Sequence, residues 1–311
     1  MLLCLGVVVT NLLAYQHAHA MLHFSEQGER TDKPEALSLW QRISVLVTGV
    51  NIPKPLNATT PDDYGLLYET HRFGASNEIE LEAWYIPKAA AKGIVLMFHG
   101  YAASKATLLP EAQALNELGY ETLLVDFRGS GGSSGYETSV GFYEAEDVVA
   151  AVEYVQRELG KERVVLYGQS MGGAAIFRAV AEKGVKPERI IVEAVFDRMV
   201  STVANRFRSM GLPAYPGTQL LIFWGSIING YWGFEHNPVN YAAQVENPVL
   251  VLHGTDDERA TLEQGQAVFE QIRGEKRFES FEGVGHESYI KADGLKWKEV
   301  VAQFLSQPVQ E

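Results

Sequence analysis

The chain has 311 residues, 46% hydrophobic and 21% charged, the make-up of a globular protein with enough apolar material for one sizeable core. A formal net charge of −13, with no basic run longer than a few residues, argues against a nucleic-acid partner, because phosphate binding needs clustered Lys and Arg. The single cysteine, Cys4, excludes an intramolecular disulfide and any cysteine-based metal site, and leaves the compartment open.

Residues 2–14 are nearly all apolar, and Ala18-His19-Ala20 has the small-x-small form of an export cleavage site. The stretch is short for a membrane span, and no Lys or Arg precedes it. Three readings stand: a cleaved export signal, a short membrane anchor, or a helix packed on the domain. The first two are preferred, so residues 1–20 are expected to direct export or membrane association, with a cytoplasmic location still open. His17, His19 and His23 read as a polar flank of this stretch rather than as metal ligands.

Residues 21–63 form an N-terminal extension punctuated by Pro34, Pro53, Pro55 and Pro61. A short helix is expected over 37–47 and an extended linker over 51–61. Asn57-Ala58-Thr59 is a glycosylation sequon, meaningful in a eukaryotic secretory host. From residue 64 to 306 the pattern becomes regular. Residues 66–73 and 79–86 alternate apolar and polar around a turn at 74–77, the mark of a hairpin of half-buried strands. Residues 93–98 are a continuous apolar run, as in a strand covered on both faces. Helices are expected near 105–118, 143–159, 174–183, 262–272 and 297–304. Strands fall between them at 122–125, 164–167, 190–195, 249–252 and 277–281. This alternation predicts an α/β fold with a mostly parallel central sheet and helices on both faces. One segment breaks the rhythm. About residues 198–246 are rich in aromatic and aliphatic side chains where a single crossover would suffice, so they predict a cap inserted between strands. Phe207, Met210, Phe223 and Trp224 of that cap are the candidate substrate-pocket residues.

The residues that carry chemistry begin with Gly168-Gln169-Ser170-Met171-Gly172, which follows an apolar strand and opens a helix of small residues. In that context a sharp strand-to-helix turn presents the Ser170 hydroxyl as a nucleophile near a helix N-terminus. A serine hydroxyl needs a base, and His286, in the glycine-rich loop Gly283-Val284-Gly285-His286 after the last strand, is the best placed of eight histidines. An acid should follow the strand at 249–252, where Asp256 and Asp257 compete; Asp197 is a third candidate. The backbone N–H groups of Tyr101 and Met171 are the expected oxyanion donors. His99 and His253 read as structural. The glycine cluster from Gly129 to Gly135 misses the spacing of a phosphate cradle, and no metal or cofactor motif occurs.

Taken together, His99-Gly100-Tyr101, Asp126-Phe127-Arg128-Gly129-Ser130-Gly131, the Ser170 pentapeptide, His253-Gly254-Thr255-Asp256-Asp257 and Gly285-His286 resemble the α/β-hydrolase superfamily, in particular its serine aminopeptidase-like (S33) and monoglyceride-lipase-like branch. The likeness runs over about residues 65–306. It implies the triad Ser170, Asp257 and His286, since the family's acid usually sits three residues after the glycine of the His-Gly pair. The resemblance thus implies a serine hydrolase without cofactor, most simply a carboxylic ester hydrolase acting on a small-molecule ester with an apolar acyl group. An aminopeptidase or amidase with the same triad is the alternative, and a non-catalytic binding protein on this fold is the rival of another class.

Overall fold

The computed structural model describes residues 2–32, 37–76 and 78–308. Pro34 and Asn77, placed above in a loop and a turn, lie outside the described residues, as does Met1.

The chain opens with helix α1 (Leu2–Leu22), followed by α2 (Leu39–Thr48). A hairpin of β1 (Glu69–Gly74) and β2 (Glu80–Ile86) leads into the alternating part: β3 (Ile94–Phe98), α3 (Leu109–Glu117), β4 (Glu121–Val125), α4 (Glu144–Glu158), β5 (Val164–Gln169), α5 (Met171–Lys183) and β6 (Arg189–Glu193). Helices α6 (Met199–Ser209), α7 (Gly217–Asn229) and α8 (Pro238–Ala242) intervene before β7 (Val249–Gly254). Helix α9 (Leu262–Gln271), β8 (Lys276–Phe281), α10 (Tyr289–Ala292) and α11 (Gly294–Ser306) complete it.

The strands form one eight-stranded sheet in the order β1-β2-β4-β3-β5-β6-β7-β8. The opening hairpin supplies antiparallel pairing at one edge, and all pairs from β4 onward are parallel. Strands β3, β4, β6 and β7 are buried along their whole length, which is why they read as apolar runs rather than alternating ones. Val148, Ala175, Ile176 and Val268 of α4, α5 and α9 pack on one face of the sheet. Leu115, Trp297 and Val301 of α3 and α11 pack on the other. A parallel sheet gathers the carboxyl ends of its strands at one rim, where the loops after β3, β5, β7 and β8 meet.

The N-terminal extension is stitched to the domain. Helix α1 packs along α7: Tyr15 meets Trp224 edge-on at 5.5 Å, Trp224 Nε1 donates to Asn11 Oδ1 at 3.3 Å, and Ala18 and Leu22 are buried. Of the three readings of this stretch, the packed helix describes the arrangement seen. No helix among the described residues is long and apolar enough to cross a membrane. Residues 51–57, expected as a linker, are pinned to the glycine-rich turn: Gly131 N donates to Pro55 O at 2.8 Å and Lys54 Nζ to Ser133 O at 2.6 Å. Asn57 of the sequon donates its amide to buried Asp126 at 2.8 Å, so that nitrogen is committed inside the fold rather than presented for glycosylation. The glycines of the turn serve close packing, since a Cβ on Gly129 would lie 2.3 Å from Glu137 O.

Candidate active site

Ser170 sits between β5 and α5 with φ 49° and ψ −107°, a left-handed conformation that costs energy for a residue with a Cβ. The neighbouring glycines explain how the turn closes. A Cβ on Gly172 would lie 2.3 Å from Phe98 O, and one on Gly168 would lie 2.6 Å from the backbone of Gly172 and Gly173. Only hydrogen at these positions lets β5, α5 and the end of β3 approach so closely. Ser170 N donates to Glu193 O at 2.7 Å, locking the turn to the neighbouring strand.

The loops after β7 and β8 bring the next two residues together. Thr255 N donates to Phe281 O and Asp256 N to Val284 O, at 2.9 and 3.0 Å, and a Cβ on Gly254 would lie 2.2 Å from Val284 O. His286 Nδ1 lies 2.7 Å from Asp257 Oδ2. Asp257 Oδ1 accepts from the N–H groups of Arg259 and Ala260 at 2.8 and 2.9 Å. Burial acts to raise the Asp257 pKa, but the hydrogen bond and charge of His286 and the two backbone donors together hold it below the ordinary carboxylate value. An ionised acceptor at Nδ1 places the imidazole proton there and leaves Nε2 with the lone pair. Among the described residues no hydrogen bond joins His286 to the Ser170 hydroxyl, a contact that often tightens only once substrate is bound.

The competing residues lie elsewhere. Asp256 is exposed and accepts from Thr255 Oγ1, at 3.0 Å. Asp197 is paired with Arg198 at 2.8 Å, at the base of α6. His253 Nε2 donates to Ala260 O, 2.7 Å away. His99 is fully buried; its Nε2 accepts from Phe127 N at 3.1 Å while Nδ1 donates to Gly100 O at 2.8 Å. Burial lowers its pKa, so it is a neutral strut shaping the loop that carries Tyr101.

Tyr101 and Met171 line the same cavity as Ser170. Met171 is the first residue of α5, where backbone N–H groups have no partner within the helix. Among the described residues the Tyr101 N–H has no hydrogen-bond acceptor either. Two unclaimed donors flanking a serine are what a developing oxyanion requires.

The cavity over Ser170 holds about 780 Å³ of empty space, open mouth included. Its walls come from Met199 and Val203 of α6, Leu221 and Ile222 of α7, and Ala18 and Met21 of α1. The pocket residues expected from sequence fall to one side. Phe207 and Met210 line a neighbouring hollow between α1, α2 and α6. Trp224 is turned to α1 and Phe223 is 40% exposed, and neither lines these two cavities. An unbroken apolar run hides which helix face looks inward, and residues 18–22 gave no sign that they would form a wall. Of the histidines near them, His17 Nε2 contacts Leu46 O at 3.1 Å and His23 Nε2 contacts Glu137 at 3.3 Å.

Sequence reasoning also passed over a buried polar cluster beneath Ser170, made by Glu111, Tyr167, Gln169, Glu193, Ser288 and Trp297. Burial raises the pKa of Glu111 and, aided by the negative charge of Glu111, pushes Glu193 up to about 8.

A strained serine turn, a histidine–carboxylate pair on adjoining loops and helices on both faces of this sheet define the α/β-hydrolase class. The comparisons agree. The α/β-hydrolase fold family model matches residues 93–220. The protein bem46 of Schizosaccharomyces pombe is 24% identical over 259 residues, 81% of this chain and 81% of its own length. Lysophosphatidylserine lipase ABHD12 of Danio rerio is 23% identical over 300 residues, 85% of this chain and 76% of its own length. Among solved structures, Pyrococcus furiosus esterase Pf2001 superposes with a TM-score of 0.68 at 22% identity, over 84% of this chain and 100% of that one. The chain has the α/β-hydrolase fold.

Proposed function

We propose that the protein is a serine hydrolase of the S33 and monoglyceride-lipase-like branch, cleaving small carboxylic esters through an acyl-enzyme. The observation that carries this is Ser170 on its strained turn at the base of an apolar cavity, flanked by two unclaimed N–H donors. His286 Nε2 takes the hydroxyl proton as Ser170 Oγ attacks the ester carbonyl. The imidazolium is stabilised by Asp257, and the oxyanion by the N–H groups of Tyr101 and Met171. The proton then passes from His286 to the departing alcohol, and water repeats the sequence on the acyl-enzyme. Apolar walls favour an apolar acyl group. The named relatives, an esterase and a lipase, fit this chemistry.

An aminopeptidase would need a carboxylate to hold the substrate ammonium. The only charged residue lining the cavity over Ser170 among the described residues is Arg206, which favours the ester reading. With a short-chain nitrophenyl ester, Ser170→Ala is expected to lower kcat by at least about 10³-fold. Turnover at the unaltered rate in that variant removes the proposal.

A further inference from the structure

The nucleophile and its base are carried on strands that do not touch: β5 and β8 are separated by β6 and β7. No ladder hydrogen bond links Ser170 to His286, so their separation depends on what ties the two loops together. Part of that tie is buried. Gln169, the residue before Ser170, donates through Nε2 to Glu111 Oε1 at 3.3 Å and to Glu193 Oε2 at 3.2 Å. Ser288, two residues beyond His286, donates its hydroxyl to the same Glu111 Oε1 at 2.5 Å. Trp297 Nε1 donates to Glu193 Oε1, also at 2.5 Å. Glu193 in turn accepts from Ser170 N through its backbone carbonyl.

Glu111 and Glu193 have 0% and 1% of their surface exposed. Two carboxyl groups sharing one amide away from water are expensive to keep, and buried hydrophobic residues would stabilise the fold at lower cost. Glu111 Oε2 is buried without a hydrogen-bond partner, so the residue is not there to complete a satisfied network. What Glu111 does achieve is a single oxygen bound from both catalytic loops.

We propose that Glu111 is a positioning residue: through Oε1 it ties Gln169 to Ser288 and thereby sets the spacing between the Ser170 hydroxyl and His286. This rests on the hydrolase reading of Ser170 and His286 given above. Proton transfer is steep in geometry, a displacement of about 1 Å costing on the order of 10²-fold in rate. Facing the pair are Tyr167 of β5, Tyr289 and Lys291 of α10, and the partner carboxyl of each. Burial raises the pKa of both acids, that of Glu193 to about 8.

The test measures kcat and KM for a short-chain nitrophenyl ester at pH 7, with thermal unfolding, on the full chain and on Glu111→Leu, Glu111→Gln and Ser288→Ala. Glu111→Leu is expected to lower kcat about 10- to 100-fold with KM within about threefold of the unaltered protein. Ser288→Ala should lower kcat in the same sense. Glu111→Gln, which keeps an acceptor at Oε1, should recover at least about a third of kcat at pH 7. A folded Glu111→Leu protein with unaltered kcat overturns the assignment, and so does a Glu111→Gln protein no better than Glu111→Leu. If Glu111→Leu fails to fold, unaltered kcat in Ser288→Ala overturns it equally. Turnover that survives Ser170→Ala removes the hydrolase reading itself, which separates that failure from this one.

Discussion

The rim of the sheet and the helical roof above it hold their residues in different ways. At the rim, Ser170, Asp257 and His286 are positioned by backbone hydrogen bonds, by glycines that admit contacts under 3 Å to a would-be Cβ, and by a 2.7 Å bond between histidine and carboxylate. In the roof, α1, α6 and α7 are held over Ser170 chiefly by apolar packing, with a few polar ties such as Trp224 to Asn11 and Tyr101 Oη to Met21 O at 2.6 Å. Directional bonds tolerate little change in geometry, whereas apolar packing tolerates change of shape at modest cost. In the proposed hydrolase the rim would carry the chemistry and the roof would select substrates.

That contrast can be broken at either end. The largest effect is expected at the rim. Asp257→Asn keeps the shape but offers an amide to His286 Nδ1, so the wrong tautomer is favoured and kcat should fall by roughly 10²- to 10⁴-fold for every ester tested. Steady-state kinetics on acetyl and decanoyl esters check this. A loss confined to one chain length would mean that Asp257 acts on substrate fit and not on the histidine. The smaller effect belongs to the roof. Ala18 of α1 is 3% exposed and lines the cavity, so Ala18→Trp narrows the acyl space without touching the relay. The kcat/KM ratio of decanoyl to acetyl ester should drop by about tenfold. An equal loss on both esters would show that the roof helps to hold the rim, and the division between the two regions would fail.

The same contrast governs how much could be read from the chain before its structure. The turn at Ser170 was legible because its glycines answer to contacts that no other residue can make, and the strand before it is buried on both sides. His286 was legible from its place after the last strand. Asp256 and Asp257 are adjacent and chemically alike; only burial separates them, and burial comes from the neighbouring loop. The roof was poorly legible. Apolar residues in α1 give one signal whether they will meet lipid or α7, so the pattern did not show that α7 would pack along them. In the cap, residues 220–224 are apolar on all sides of a helix, and the pattern could not say that Leu221 and Ile222 would face Ser170 while Trp224 turned to α1. Glu111 follows Pro110 at the start of α3, where an acid normally signals a helix N-terminus at the surface. Its burial arises from loops distant in the chain.

The most direct measurement is covalent labelling of the full chain with a fluorophosphonate, read by intact mass and peptide mapping. One adduct per chain on Ser170, absent in Ser170→Ala, is the predicted result, because only a serine deprotonated by a nearby base attacks such a probe. A chain that takes up no label, or carries it on another residue with Ser170 unmodified, contradicts the account.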